Sequence, residues 1–110
     1  MQVCVFLSAT DESISIYPKY VKPYESFTII CNTSYVYDAV ISREWEVCAS
    51  RCNVTSDCYH SDRMLKVTCD YSDRIMTLRV SGAIKEDFTQ WTCAGYGGED
   101  TDFLEEFGNL

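Results

Sequence analysis

Prolines are scarce in this chain, two in 110 residues, and glycines number only five. That composition excludes collagen-like, linker-like and low-complexity architectures. Basic residues are also few: nine Lys and Arg stand against seventeen Asp and Glu, a formal net charge of −8. Binding nucleic acid requires a basic face to neutralise phosphates, and no run of Lys and Arg supplies one. The same acidity excludes direct binding of this segment to an anionic membrane surface. No stretch approaches the roughly 18–20 apolar residues of a membrane span. Histidine occurs once, as His60, so general bases near neutrality are nearly absent.

What is present is a hydrophobic share of 46%, enough for one core in a chain of one domain's length. Seven cysteines are a high density for this size and indicate an oxidising compartment, where bridges support a small core. Two N-glycosylation acceptors, Asn32-Thr33-Ser34 and Asn53-Val54-Thr55, point the same way. The expected location is therefore extracellular, secreted or on a cell-surface ectodomain. Residues 1–12 hold an apolar stretch, Val3 to Leu7, followed by small residues. They are expected to be either the tail of a secretory signal sequence or a leading strand, with the domain proper at 13–110. Without Cys4 six cysteines remain, a set that can pair completely; the alternatives are a bridge from Cys4 to another chain or a free thiol.

The chain reads as strands throughout. Ser13 to Tyr17 alternates and meets Pro18, an edge strand ended by proline, and Val21 to Pro23 continues it as a second short edge piece. Phe27, Ile29 and Cys31 alternate with Thr28, Ile30 and Asn32, so Cys31 faces the core and Asn32 faces out. A strand is expected over Ile41 to Val47 with Trp45 and Val47 inward. The same alternation turns Arg43 inward, so it must be paired or the strand must bulge. Met64 to Thr68 is a further candidate strand. Met76, Leu78 and Val80 alternate with Thr77, Arg79 and Ser81. Gly95-Tyr96-Gly97-Gly98 reads as a tight turn. Thr101 to Phe107 is expected as the last strand, with Phe103 and Phe107 at even spacing.

The segment Leu78 to Cys93, LRVSGAIKEDFTQWTC, places Asp87 six residues and Trp91 two residues before Cys93. With Cys31 closing FTIIC and Trp45 in REWEV, the chain resembles the immunoglobulin superfamily, whose domains carry a Cys…Trp…Cys order. The resemblance implies an all-β fold: an immunoglobulin-like antiparallel β-sandwich with Greek-key connections. It also implies a Cys31–Cys93 bridge, and a core that includes Trp45, Leu78, Asp87 and Trp91. In family terms the strands are A (from Ser13), B (ending at Cys31), C (around Trp45), D (from Met64), E (around Leu78), F (ending past Cys93) and G. Trp91 departs from the family's usual Tyr, so the corner must use an indole N–H where Tyr offers a hydroxyl. The interval from Trp45 to Leu78 resembles C2 or I-type domains. Phe107-Gly108 begins like the joining segment of variable domains, with Leu110 where that segment's last glycine would stand. The extra cysteine-bearing loop, between strands C and D/E, is similar in arrangement to immunoglobulin domains of invertebrate immune lectins.

Cys48, Cys52, Cys58, His60 and Cys69 cluster within that loop. Four thiols and an imidazole suit tetrahedral zinc, but no pair has the C-x2-C spacing, and an oxidising compartment favours two disulfides. Three pairings are available; nesting favours Cys48–Cys69 with Cys52–Cys58. His60 then reads as a solvated loop residue, and no metal or other cofactor is expected. Glu99, Asp100, Asp102, Glu105 and Glu106 lack the EF-hand pattern and read as a solvated acidic face. No nucleophile motif accompanies His60, so no enzyme activity is expected. Among eight tyrosines, Tyr35 and Tyr37 fall in the B–C loop and Tyr96 in the F–G turn, loops that share one end of a variable-type sandwich. Tyrosine suits a recognition tip; the rings could instead cover strand edges. A glycan on Asn32 would work against a broad flat contact there. The expectation is a recognition module of the immune or adhesion type that binds a protein or glycan partner through loops or a sheet face. The alternative is a structural spacer within a multidomain ectodomain or secreted lectin.

Overall fold

The computed structural model describes residues 12–108; the rest of the expected leader segment lies outside them. The strands are β1 (Ser13–Tyr17), β2 (Tyr20–Val21), β3 (Phe27–Asn32), β4 (Val40–Arg43), β5 (Glu46–Ser50), β6 (Asn53–Val54), β7 (Met64–Asp70), β8 (Ile75–Ser81), β9 (Gln90–Gly95), β10 (Gly98–Phe103) and β11 (Glu105–Glu106). They form an antiparallel four-stranded sheet in the order β1-β3-β8-β7 and an antiparallel five-stranded sheet in the order β10-β9-β4-β5-β6. A third pairing sets β2 parallel to β11. Among the described residues no helix is long and apolar enough to cross a membrane.

Period-2 alternation decides which face each strand buries. Phe27, Ile29 and Cys31 of β3 and Met76, Leu78 and Val80 of β8 all turn inward. From the other sheet come Ile41, Trp91 and Cys93. Phe27 meets Trp91 edge-on, centroids 5.7 Å apart and planes at 68°, a favoured aromatic geometry. Cys31 and Cys93 join across this core, linking β3 to β9. Closing so long a loop should contribute about 4 kcal/mol through the unfolded chain.

Five expectations need correction. Trp45 is not core: it is 94% exposed. The strand expected over Ile41 to Val47 is a hairpin, β4 and β5, with Glu44-Trp45 as its two-residue turn. Three charged residues in four (Arg43, Glu44, Glu46) break the apolar alternation there. Glu44 takes a left-handed conformation (φ 51°), which costs about 1–2 kcal/mol in a non-glycine residue. Its N–H is held by the Gln90 carbonyl at 3.0 Å. The indole at the centre of the core belongs to Trp91 instead.

The loop disulfides also differ. Cys48 pairs with Cys58 and Cys52 with Cys69, their Cα atoms 5.1 and 5.9 Å apart, not Cys48 with Cys69 and Cys52 with Cys58. The register of β4 against β5 slips between Ile41 and Ser42, so Ile41 faces Ala49 while Ser42 faces Val47. The extra residue is Cys48; Cys48 and Ala49 are both buried, as a bulge allows. Cys48 thus meets Cys58 of the 3-10 turn Ser56–Cys58, while Cys52 reaches β7.

The expected last strand, Thr101 to Phe107, breaks at Leu104. Leu104 is buried, donating its N–H to Thr89 at 3.1 Å, while Phe103 and Phe107 are exposed. The second short edge piece is Tyr20–Val21, which stops before Pro23. The strand expected over Met64 to Thr68 starts where foreseen and runs on to Asp70.

Candidate binding surface

Asp87 is completely buried, and a buried carboxylate must be paired. Its oxygens take hydrogen bonds from Arg43 (2.8 Å), from Arg63 and from the Ile84 N–H (2.9 Å). Glu46 accepts from Arg43 at 2.6 Å. The network therefore holds two cations and two carboxylates and is neutral. Burial works against the Arg43 charge, but the bonds to Glu46 and Asp87 outweigh it and raise its pKa. Arg43 faces inward because it is paired. Asp87 in turn fixes the corner before β9, where its carbonyl accepts the Trp91 indole N–H at 3.0 Å. Arg63 escaped the sequence reading. Its only signal was negative, a buried Asp87 needing a second cation.

Three connections meet at one end of the five-stranded sheet. Val40, the first residue of β4, lies in register with both Ala94 of β9 and Ser50 of β5. The segment before Val40, the turn after Ser50 and the turn after Gly95 therefore emerge together. In the first, Val36 and Ala39 are buried around the 3-10 turn Val36–Asp38, which leaves Tyr35 (53%) and Tyr37 (42%) exposed. In the second, Arg51 and Cys52 are both left-handed (φ 53° and 59°), the geometry of a type I′ hairpin turn, pinned to β7 through Cys69. In the third, Tyr96 is 85% exposed.

A carboxylate underlies this end. Glu12 is buried and accepts from the Thr33 hydroxyl at 2.9 Å, the Ser34 hydroxyl at 3.4 Å and the Gly97 N–H at 3.3 Å. It thereby ties the Tyr35 loop to the Tyr96 turn. A Cβ on Gly95 or Gly97 would run into this carboxylate, which accounts for glycine at both positions. Glu12 was expected to belong to the leading segment, and nothing in its sequence context marked it.

The structure thus brings Tyr35, Tyr37 and Tyr96 to one end. Asn32 is exposed at the end of β3, in register with Ser13 and Ile75. A glycan there would leave from the outer face of the four-stranded sheet three residues before Tyr35, beside the tyrosine end, and would narrow the contact that end can make. Asn53 is exposed on β6, at the edge of the other sheet. The four loop cysteines that could have held zinc are paired with one another. His60 lies in an exposed turn, its Nδ1 accepting from the Asp62 N–H at 3.3 Å. Within the acidic C-terminal stretch, Asp102 is bonded to Lys19 at 2.8 Å. That bond holds the Asp102 carboxyl below its ordinary value and raises the Lys19 ammonium.

No protein-family model and no curated protein matches the chain.

Proposed function

We propose that this chain is an extracellular, non-catalytic recognition module of the immunoglobulin kind, which reads a protein or glycan partner with its tyrosine-bearing end. The strand orders support the fold. Labelled A to G in chain order, β1-β3-β8-β7 follows A-B-E-D, and β10-β9-β4-β5-β6 follows G-F-C with two added strands, the variable-type arrangement of a Greek-key sandwich. The added strands favour that type over the C2 or I-type reading. The Cys31–Cys93 bridge and the Trp91 corner fit the same pattern. Three disulfides suit the extracellular setting.

The observation that carries the function is the convergence of three loops at Val40 with three exposed tyrosines on two of them. Tyrosine gives large contact area and one polar group at small entropic loss. The Glu12 anchor and the Cys52–Cys69 bridge hold those loops in place, and preorganisation favours binding. The chain's one histidine, His60, lies in an exposed turn with its Nδ1 accepting from the Asp62 N–H, which supports a role without turnover.

The test is binding of the secreted protein to arrays of cell-surface ectodomains and of glycans. The combined Tyr35→Ala, Tyr37→Ala and Tyr96→Ala variant should lose at least about tenfold in affinity for any ligand found, with its unfolding midpoint unchanged. Undiminished binding overturns the assignment to this end. A protein that binds nothing on either array is better described as a spacer.

A further inference from the structure

The outer face of the five-stranded sheet carries a second feature, distinct from the tyrosine end. Trp45 sits in the β4–β5 turn, at the other end of β4 from Val40. Its indole is almost wholly in solvent. In the turn that puts it there Glu44 is left-handed, and holds that conformation through its N–H bond to Gln90. A two-residue hairpin turn calls for a left-handed residue, which Glu44 supplies; what points to a contact site is the large aromatic ring left in solvent beside a concavity.

Beside Trp45 lies an open concavity of about 380 Å3, lined by Ser42, Glu44, Gln90, Thr92, Ala94, Glu99 and Thr101 together with the indole. Its floor is made of small and neutral side chains. Its charged groups are Glu44 and Glu99, and no cation lines it among the described residues. The Thr89 hydroxyl donates to the Glu44 carboxylate and orients it. Sheet register places the two carboxylates at opposite corners. Glu99 faces Ala94, and Glu44 bonds Gln90 four residues along β9 and one strand over. Four residues of strand and two strand spacings separate them by about 16 Å.

A single cation cannot satisfy both corners at that separation. Two basic side chains on one extended segment can, since arginines four positions apart are about 13 Å apart along the chain before their side chains spread. A guanidinium at the Glu44 corner would also stack on the Trp45 ring. We propose that this face is a docking groove for an extended basic segment of a partner protein. One Arg or Lys lies against Glu44 and Trp45 and a second, about four residues away, lies against Glu99. Charge decides against a second copy of this chain as occupant: the chain carries −8 overall, and its own face would oppose carboxylates to carboxylates.

The two tryptophans supply the assay, because Trp45 is exposed and Trp91 buried. The probe is a blocked pentapeptide with arginine at both ends and threonine between, titrated against the intact protein while tryptophan emission is followed at low ionic strength. Saturable binding with a shift of the solvent-exposed emission is expected. Glu44→Gln with Glu99→Gln should weaken it at least about tenfold, the loss of two charge-assisted contacts. The charge-matched pair Glu105→Gln and Glu106→Gln on β11 should weaken it less than about twofold. A peptide with its two arginines adjacent should bind several-fold more weakly. Equal loss in both double variants would mean a general field effect and overturn the groove. Binding that leaves Trp45 emission unmoved, or no saturable binding, overturns it as well. So does self-association that buries Trp45, measured by sedimentation without peptide.

Discussion

The Trp91 indole N–H donates to the Asp87 carbonyl at 3.0 Å, beside the Thr89 N–H at 2.8 Å, and ties the core ring to the corner through which the chain enters β9. The ring also fills the centre of the core against Phe27. Trp91→Phe removes one of the two donors to the Asp87 carbonyl, which keeps the Thr89 N–H at 2.8 Å, and leaves a gap beside Phe27. It should cost about 2–4 kcal/mol in urea unfolding. Trp91→Tyr, close to Phe in volume but bearing a hydroxyl, should cost distinctly less. Equal losses for the two variants would mean that packing alone explains the corner.

Asp87 is the shared acceptor of Arg43 and Arg63. Asp87→Asn leaves two buried guanidiniums facing each other and should destabilise by about 3–5 kcal/mol. Arg63→Met removes one cation while Asp87 keeps Arg43, so its cost should be smaller. Urea unfolding, which leaves ionic strength unchanged, orders the two. An Arg63→Met variant less stable than Asp87→Asn would contradict the network's charge balance.

How far the sequence could be read follows from what each residue's environment depends on. The strands of Phe27 to Asn32 and Ile75 to Ser81 were legible because their burial follows local alternation. Trp45 was misread because the Cys…Trp…Cys order treats any tryptophan near that place as core. A two-residue turn between Arg43 and Glu46, set by contacts with Gln90 and Asp87, sends it outward instead. The disulfide pairing depended on one bulged residue, Cys48, and bulges leave no period. Glu12 and Arg63 act through partners distant in sequence, so neither had a local signature. The tyrosine loops and their common end were expected from the resemblance; the double register of Val40 brings the β5–β6 turn to that end as well, which no local pattern marked.

The pairing Cys48–Cys58 and Cys52–Cys69 predicts its own peptide map. Non-reducing digestion should release a fragment joining the β5–β6 turn to β7 through Cys52 and Cys69. Replacing both by serine should cost about 3 kcal/mol, the value for a loop of this order. It should also open the Arg51-Cys52 turn, so trypsin should cleave after Arg51 faster than in the native protein. A map joining Cys48 to Cys69 would refute the pairing.

Gly95 and Glu12 should be energetically coupled. The Cβ of Gly95→Ala would overlap the Glu12 carboxylate and stand 3.0 Å from the Thr33 hydroxyl that holds it. The substitution should therefore cost about 1–3 kcal/mol as overpacking. In a Glu12→Ala background the nearer obstruction is gone and the same change should cost much less, a coupling of about 1 kcal/mol or more in a double-mutant cycle. Additive losses would place the carboxylate elsewhere.

Lys19 and Asp102 set a predictable pH response. The hydrogen bond from Lys19 is the largest cause of the lowered Asp102 pKa, and the bond to Asp102 is the largest cause of the raised Lys19 pKa. A carboxylate depressed by folding stabilises above its unfolded pKa, about 4, and loses that contribution as pH falls through the lower folded value. An ammonium raised by folding stabilises below its unfolded pKa, about 10.4, and loses that contribution as pH rises through the higher folded value. The pair should therefore contribute a constant amount from about pH 5 to 9. That amount should stay under about 1 kcal/mol, since both side chains are more than a third exposed and solvent screens them. Lys19→Met should lower the urea midpoint slightly at pH 7 and by less at pH 3, where Asp102 is protonating in both proteins. A loss at pH 3 as large as that at pH 7 would show that the lysine stabilises through its stem or its bond to the Phe103 carbonyl at 2.8 Å and not through Asp102.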